Sequence, residues 1–469
     1  MNLNYIMEFI DSGVGWSENK NAYKAGIEAV KNALSNKKTP NLLVVFSTIH
    51  YEGKFKRLLE GIFHGLRSSN LFNKEVKLIG GTGDSVIADD NLLTKGVAVM
   101  ALSSSHIRVG LGKGENFAKN PFKEAEKATR EAFDSIKERP EIRYLAQMKR
   151  PLSKILRLEP YSLLILPAVY GEKINGQNYS DLATDMSLDG AKSAVGRSVP
   201  IVGGVLMDET TGNKAYKRSY LFINKEVYKN SFGCCAFSTD LVNGFGVAHG
   251  FKPTGKAGII TKAYRNFLFQ LDGRPAKEVL MEWFEINEED WKKSLSILYA
   301  VKKKYMVATP DIEGNYWCNH PTKPLSMLSV PKSAIFHLFK LFKFKLGEMI
   351  KEDPVFFVSK LTEGSVLSLL EGSEKSIVNA GKETAKDALN YARNPKNVGA
   401  AFLFSCGQRH LMLKEKVVEE IRNFRKVVKA PTIGFYTGGE IGLRRNTQPF
   451  IGNMTLTSYI MADQLISEI

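Results

Sequence analysis

Three times along the chain, an apolar run ends in a turn of small residues that is followed by an acid. The three turns are Gly80-Gly81 followed by Asp84, Gly203-Gly204 followed by Asp208, and Gly438-Gly439 followed by Glu440. The order of elements around each turn also recurs. Because repeated sequence implies repeated structure that buries the same apolar faces, we predict about three related helix-strand-helix-strand-strand units.

Local patterns within the units predict the same elements. In the first unit, NAYKAGIEAVKNAL places its apolar residues at helical spacing, and the buried strand LLVVFS follows. Strands alternate with both helices and tight turns, which favours an α/β fold (mixed α+β) of layered mixed sheets flanked by helices. We place the main boundary near Gly273 to Lys277. This predicts an N-terminal domain, 1–275, with two units, and a C-terminal domain, 276–469, with bridging helices and the third unit.

Composition limits the class of protein. The net charge is +16, but lysines are spread along the chain and punctuated by glutamates, as in EAEKATREAF. A solvated lysine-rich surface explains this better than a nucleic-acid footprint, although the charge leaves a basic scaffold open. No apolar run reaches the ~20 residues of a membrane span, and we find no export signal. The four cysteines are too scattered for a disulfide framework, so we expect a cytoplasmic protein.

Motifs for cofactors and metals are missing. Gly110 to Gly114, GLGKG, lacks the Walker spacing and the Ser or Thr after lysine, and GGTGD lacks the GxGxxG spacing. Cys318 and His320 have no second pair at ligand spacing. We therefore predict no cofactor and no metal.

Two segments leave alternatives open. Cys406 ends a buried strand close to Arg409 and His410, which could make it the nucleophile of a thiol-dependent enzyme or simply a small apolar residue of the core. The aromatic and basic segment Ile335–Leu346 could contact a membrane surface or a partner protein. Its lysines form no single helical face, which favours a partly buried element.

The last third of the chain resembles the C-terminal module of the FIST family. Its marks are FLFSCGQRHL with Cys406 and Arg409, then GFYTGGEIG, and then NMTLT. Upstream, VAHGFKPTGKAG with LDGRPA is similar to the end of the FIST N-terminal module, and IGGTGD to its glycine-rich turn. The family usually has glutamate where this chain has Asp84. The likeness spans about 22–459, and three motifs occur in the family's order.

The resemblance implies a stand-alone sensory protein that binds small ligands such as amino acids and acts through a protein signalling partner, with no catalysis. Turns at strand ends gather polar groups at one rim of such a fold, where ligands commonly bind. The candidate ligand-binding residues are Gly80, Gly81, Asp84, Gly203, Gly204, Asp208, Cys406, Arg409, Gly439, Glu440, Asn453 and Thr455.

Two readings of this set remain. In the first, Arg409 pairs with a ligand carboxylate while Glu440 or Asp84 meets an ammonium, and Asn453 and Thr455 fix the orientation. In the second, Arg409 and Glu440 form an internal ion pair, and Asn453 ties down the neighbouring turn.

Overall fold

The protein is described by a computed structural model over residues 9–34, 38–137, 160–168, 173–174, 177–178, 180–196, 198–210, 218–293, 304–324 and 354–466. These residues form three units of similar topology and one insertion. With 31% of the described residues in helices and 40% in strands, the mixed α+β class is confirmed. No helix in these ranges is long and apolar enough to cross a membrane.

Unit 1 begins with a strand that lies beside its last strand. Its elements are β1 (Asp11–Ser17), α1 (Ala22–Ala33), β2 (Leu42–Ser47), α2 (Phe55–Ser68), β3 (Lys77–Thr82), β4 (Val86–Ala88), β5 (Asn91–Leu93) and β6 (Val97–Ser103). The side chain of Asn21 caps α1 by accepting a hydrogen bond from the backbone N–H of Lys24. Gly61 lets α1 and α2 touch, because a Cβ there would lie 2.1 Å from the carbonyl oxygen of Tyr23.

Unit 2 follows the same order. Its elements are β7 (Ile107–Glu115), α3 (Pro121–Asp134), β8 (Tyr161–Ala168), β9 (Lys173–Ile174), β10 (Gln177–Asn178), α4 (Ser180–Val195), β11 (Ile201–Gly204), β12 (Leu221–Ile223), β13 (Glu226–Tyr228) and β14 (Ser231–Thr239). Strands β9 and β10 form a small separate hairpin. The segment Ile107–Glu115 opens this second unit, because it lies in sheet 2 beside β14.

Unit 3 is interrupted after its first strand, β15 (Leu241–Ala248). The insertion contains β16 (Phe251–Tyr264), β17 (Phe267–Leu271), β18 (Arg274–Pro275), α5 (Ala276–Phe284), α6 (Glu288–Lys293), β19 (Tyr305–Pro310), β20 (Tyr316–Cys318), β21 (Pro321–Pro324), β22 (Val355–Phe357) and β23 (Val366–Gly372). The unit resumes with α7 (Glu374–Tyr391), β24 (Val398–Cys406), α8 (Gly407–Leu413), α9 (Val417–Val428), β25 (Thr432–Thr437), β26 (Glu440–Gly442), β27 (Phe450–Gly452) and β28 (Leu456–Leu465).

Each unit builds four strands of a six-stranded sheet and sends a hairpin to another unit. The strand orders are β1-β6-β2-β3-β12-β13 in sheet 1, β7-β14-β8-β11-β26-β27 in sheet 2 and β15-β28-β24-β25-β4-β5 in sheet 3. The pairs β2–β3, β8–β11 and β24–β25 are parallel, and their neighbours in these sheets are antiparallel. The hairpin of unit 1 thus completes sheet 3, that of unit 2 completes sheet 1, and that of unit 3 completes sheet 2.

The core has an inner and an outer part, because both faces of each sheet are covered. Alternate residues of β2 show this. Phe46 packs in a central cluster with residues of all three sheets, among them Leu164 and Phe404, whereas Val45 lies beneath the helices of its own unit. Sheets covered on both faces need continuous apolar strands, which is why LLVVFS is buried throughout.

The predicted division at residue 275 does not coincide with a break in the sheets. Strand β15 lies before that point and pairs with β28, while β26 lies after it and pairs with β11. Hydrogen-bonded ladders therefore join the two predicted domains in sheets 2 and 3. The recurring strand order supports the prediction of three related units, and the internal sequence repeat stays a prediction.

Candidate functional site

The three acidic turns come together where the parallel strand pairs end. The backbone N–H of Asp84 in unit 1 donates to the carbonyl of Tyr436 in unit 3 (3.1 Å). The N–H of Met207 in unit 2 donates to Thr82 of unit 1 (3.0 Å), and Val205 exchanges two hydrogen bonds with the Gly438-Gly439 turn of unit 3 (3.0 Å each). Each turn is therefore bonded to the other two, at the carboxyl ends of strands, where α/β folds commonly bind ligands. We call this place the three-turn junction.

The glycines of the turns serve packing. At Gly80 and Gly203 a Cβ would lie 1.7 Å and 2.0 Å from a carbonyl oxygen of the neighbouring parallel strand, and Gly434 makes the same contact in unit 3. In unit 3, Gly434 is therefore the structural counterpart of Gly80 and Gly203, whereas the sequence pattern had matched Gly438-Gly439 to them. The space beside Gly81 is filled by the Leu206 side chain, and that beside Gly204 by Thr437. Gly80, Gly81, Gly203 and Gly204 therefore do not form an open cradle for a ligand.

Asp84 has partners from all three units. Its Oδ1 accepts hydrogen bonds from the backbone N–H and the hydroxyl of Thr210, at 2.7 and 2.8 Å. Its Oδ2 lies 2.7 Å from Nδ1 of His410 and 3.2 Å from the hydroxyl of Ser85. The Asp84 side chain is 6% exposed and that of His410 is 25% exposed. The imidazole is therefore held by a buried carboxylate while part of the ring reaches solvent.

Asp208 belongs to a second ionic cluster that joins units 1 and 2. The buried carboxylate accepts a hydrogen bond from Nε of Arg218 at 3.0 Å, and Arg218 also contacts Glu52 at 2.7 Å. The Tyr220 hydroxyl donates to Glu52 at 2.6 Å. Burial opposes ionisation of Glu52, but hydrogen bonds from Tyr220 and Arg218 outweigh it and hold the pKa of Glu52 below its usual value. This cluster is an internal ion network.

Glu440 is completely buried and has no arginine within ion-pair distance among the described residues. Its Oε1 accepts from the hydroxyl of Thr437, and its Oε2 from the N–H and hydroxyl of Thr455, at 2.8, 3.2 and 2.8 Å. Burial raises the pKa of Glu440 to about 8, although these hydrogen bonds and the charge of Arg409 act in the opposite direction. Asn453 is 4% exposed, so it is enclosed by protein as well.

Arg409 does not pair with Glu440. All five of its N–H donors are taken by protein acceptors. Its Nε and one Nη2 donor bond the Glu420 carboxylate, and the other three reach the carbonyls of His249, Met454 and Ile377 at 2.7–2.8 Å. The side chains of Arg409 and Glu420 are both 0% exposed. The internal ion pair therefore exists with a different acid from the expected one, and no donor is left over for a ligand carboxylate.

The cysteines are buried thiols. Cys406 is 3% exposed, and burial raises the pKa of its thiol, as it does for the other three cysteines. A raised pKa suppresses the reactive thiolate. This counts against the alternative of a thiol-dependent enzyme. Among the described residues, no group of three or more His, Cys, Asp or Glu side chains could hold a metal ion.

Sequence reasoning missed Thr210, Arg218 and Glu420, and it considered His410 only as a neighbour of Cys406. Thr210 stands two residues after Asp208, so the turn motif contained a signal for it. Glu420 lies eleven residues beyond Arg409 on another helix, a spacing that carries no local signal. The segment Ile335–Leu346 lies outside the described residues, and its role in membrane or partner contact stays a prediction.

Comparisons with known proteins agree with the motifs. The FIST N domain matches residues 41–274 and the FIST C domain matches residues 348–443. An uncharacterized protein of Methanocaldococcus jannaschii is 22% identical over 466 residues, which cover 94% of this chain and 77% of that protein.

Similarity to solved structures is weak. Cyanuric acid hydrolase from A. caulinodans gives a TM-score of 0.27 at 10% identity, covering 78% of this chain and all of that chain. PurLQS from Thermotoga maritima gives a TM-score of 0.19 at 8% identity, covering 97% of this chain and 72% of that chain. Scores at this level support no argument about fold or function. FIST domains are generally sensory or signal-transduction domains that bind small ligands. With both domains matched in the order that its motifs predict, the chain belongs to the FIST family.

Proposed function

We propose that this protein is a sensor whose small ligand binds at the three-turn junction, beside Asp84, Thr210 and His410. The observation that carries the proposal is the set of partners around Asp84. The carboxylate of Asp84, in unit 1, forms hydrogen bonds with Thr210 of unit 2 and His410 of unit 3. A ligand that binds there contacts side chains whose positions depend on all three units.

The chemistry of His410 indicates the ligand class. Its Nδ1 is engaged by Asp84, and its Nε2 has no hydrogen-bond partner in the described part of the chain. An anionic ligand beside Nε2 favours the imidazolium form of the ring, in which Nδ1–H points at Asp84 and Nε2–H is the second donor. A ligand carboxylate fits that donor, so amino acids and related carboxylic metabolites are our proposed ligands. His410 thereby takes the role that the sequence suggested for Arg409.

Signal output would pass through a second protein. The units share their sheets. A ligand that favours one arrangement of the junction therefore changes the relative positions of strands in all three sheets. A ligand shifts a conformational equilibrium by the difference in its affinity for the two conformations. A partner protein that binds the ligand-favoured conformation more tightly would therefore bind more when the ligand is present. We propose a cytoplasmic signalling partner for that step.

The test is a thermal-shift screen of amino acids and other small carboxylates, followed by calorimetric titration of the hits. At a hundredfold excess over Kd, binding adds about 2.7 kcal/mol of apparent stability. For a chain of 469 residues, an unfolding entropy of about 1 kcal/mol/K makes this a rise in Tm of roughly 3 °C.

Variants locate the site. His410→Ala removes one charged hydrogen bond to the ligand, worth about 1.5–3 kcal/mol, so we expect affinity to fall by roughly 10- to 100-fold. Thr210→Val should weaken binding as well, because it loosens Asp84. His64→Ala is the matched control, since His64 is an exposed histidine on α2 that contacts Tyr23. Failure of every carboxylate to bind, or unchanged affinity in His410→Ala, would contradict the proposal.

A further inference from the structure

A cavity lies at the ends of β2 and β3 that are opposite to the three-turn junction. It has a volume of about 1180 Å³ and opens between unit 1 and unit 2. Its walls include the starts of β2, β3 and β7, the end of α3 and the β12–β13 turn. Strand β3 begins at Lys77 in this cavity and leads toward Asp84, so at 3.3 Å per residue the two sites are roughly 20 Å apart. We call it the basic cavity.

Positive charge dominates its lining. Five cationic side chains line it, namely Lys74, Lys77, Arg108, Lys137 and Lys225, against two acids, Glu75 and Glu226. Both acids already have lysine partners. Glu75 lies 3.6 Å from Lys137, and Glu226 lies 3.1 Å from Lys56, which is outside the lining. Among the described residues, the remaining cations of the wall therefore form no ion pair with the acids that share the cavity.

Lys77 and Arg108 are the least solvated of these cations. Both are partly buried, and neither has a carboxylate within 4 Å among the described residues. The ammonium of Lys77 donates to the carbonyl of Val109, which leaves two of its three N–H donors for other acceptors. Burial lowers the pKa of Lys77, with smaller contributions from neighbouring charges. A partly desolvated cation without a counter-ion is a favourable place for an incoming anion.

The rest of the wall suggests the size and type of ligand. The volume is large for the ~300–1,000 Å³ that small-molecule sites usually occupy, and the wall also contains Phe63 and Phe72. Several cations around one space suit a group with several negative oxygens. We propose that the basic cavity binds a phosphate-bearing small molecule of about nucleotide size, with its phosphates on Lys77 and Arg108. This site is independent of the three-turn junction and of the ligand proposed there.

Calorimetric titration of the full chain with pyrophosphate, ATP and adenosine tests the inference. We expect pyrophosphate and ATP to bind, more weakly as salt is added, and adenosine to bind much more weakly than ATP. Lys77→Met and Arg108→Met should each lower the affinity for ATP by at least about tenfold, while Lys77→Arg should keep most of it. Lys386→Met is the control, because it removes one positive charge from an exposed lysine of α7 outside the cavity.

Two results would overturn the inference. One is that neither pyrophosphate nor ATP binds at millimolar concentration in low salt. The other is that binding is insensitive to Lys77→Met and Arg108→Met, or that Lys386→Met weakens it equally, since either outcome means attraction to the overall charge. If Lys77→Met does not fold, Arg108→Met decides. Because the ligands and variants differ from those at the junction, failure here leaves the sensor proposal standing, and the reverse holds too.

Discussion

Replacing Arg409 with methionine would remove five N–H donors from the interior of unit 3 while keeping a long apolar side chain. The guanidinium bonds Glu420 on α9, Ile377 on α7, and the carbonyls of His249 and Met454 beside β15 and β28. It thus connects four segments that are far apart in the chain. We therefore expect the variant to lose stability first, and any effect on ligand binding to be secondary.

The loss of stability can be estimated from the partners that Glu420 would keep. Glu420 would keep only the hydroxyls of Ser405 at 3.1 Å and Tyr436 at 3.3 Å, with no cation beside its buried carboxylate. Removing one partner of a buried ion pair costs about 3–5 kcal/mol. With an unfolding entropy of about 1 kcal/mol/K for 469 residues, we expect Tm to fall by roughly 3–5 °C.

Denaturant titration followed by circular dichroism measures the effect as a lower midpoint with an unchanged slope. Adding Glu420→Gln to Arg409→Met should recover part of the loss, because the amide carries no uncompensated charge. Lys416→Met, which breaks the exposed pair with Glu374, should leave the midpoint unchanged. The reasoning is refuted if Arg409→Met retains wild-type stability while ligand binding disappears, since Arg409 would then be a ligand-binding arginine.

Two further predictions concern the buried acid and the shared sheets. Because burial raises the pKa of Glu440 from 4.5 to about 8, the folded state binds a proton that the unfolded state releases. This contribution is fully present below pH 4.5 and is lost as pH rises toward 8. Denaturation at pH 5 and pH 8 should therefore show Glu440→Gln gaining stability relative to wild type at the higher pH, and an equal difference at both values would contradict the burial argument. A fragment of residues 1–275 keeps all six strands of sheet 1 but lacks the partners of β15 and of the β4–β5 hairpin. We therefore expect β15, β4 and β5 to lack protection from amide hydrogen exchange until residues 276–469 are supplied. Protection of these strands in the fragment alone would contradict the sharing of sheet 3 between units.

Much of the architecture could be predicted from local sequence patterns. The apolar run LLVVFS predicts a strand covered on both faces, and β2 is one. The turns after β3, β11 and β25 were identified by small residues followed by an acid, and each lies at the carboxyl end of the parallel strand pair of its unit. Motif order also placed the chain in the FIST family, which the domain matches confirm.

Pairing between distant segments was not readable in this way. The hairpins β4–β5, β12–β13 and β26–β27 each complete the sheet of another unit, and a short strand carries no mark of which edge it joins. The same limit applies to side chains. Arg409 and Glu440 stand near each other in the motif, yet the arginine pairs with Glu420, because a buried cation takes the acid that the packing of α8 against α9 presents.

The sequence by itself determined the class of fold, the three acidic turns and the family, because these depend on periodicity, turn chemistry and motif order along one stretch of chain. Only the tertiary structure decided that Asp84 bonds Thr210 and His410, that Arg409 has no free donor, and that a basic cavity lies between units 1 and 2. The physical reason is that charge pairing and cavity shape are set by the close packing of residues that are remote in sequence, for which no local pattern provides a signal.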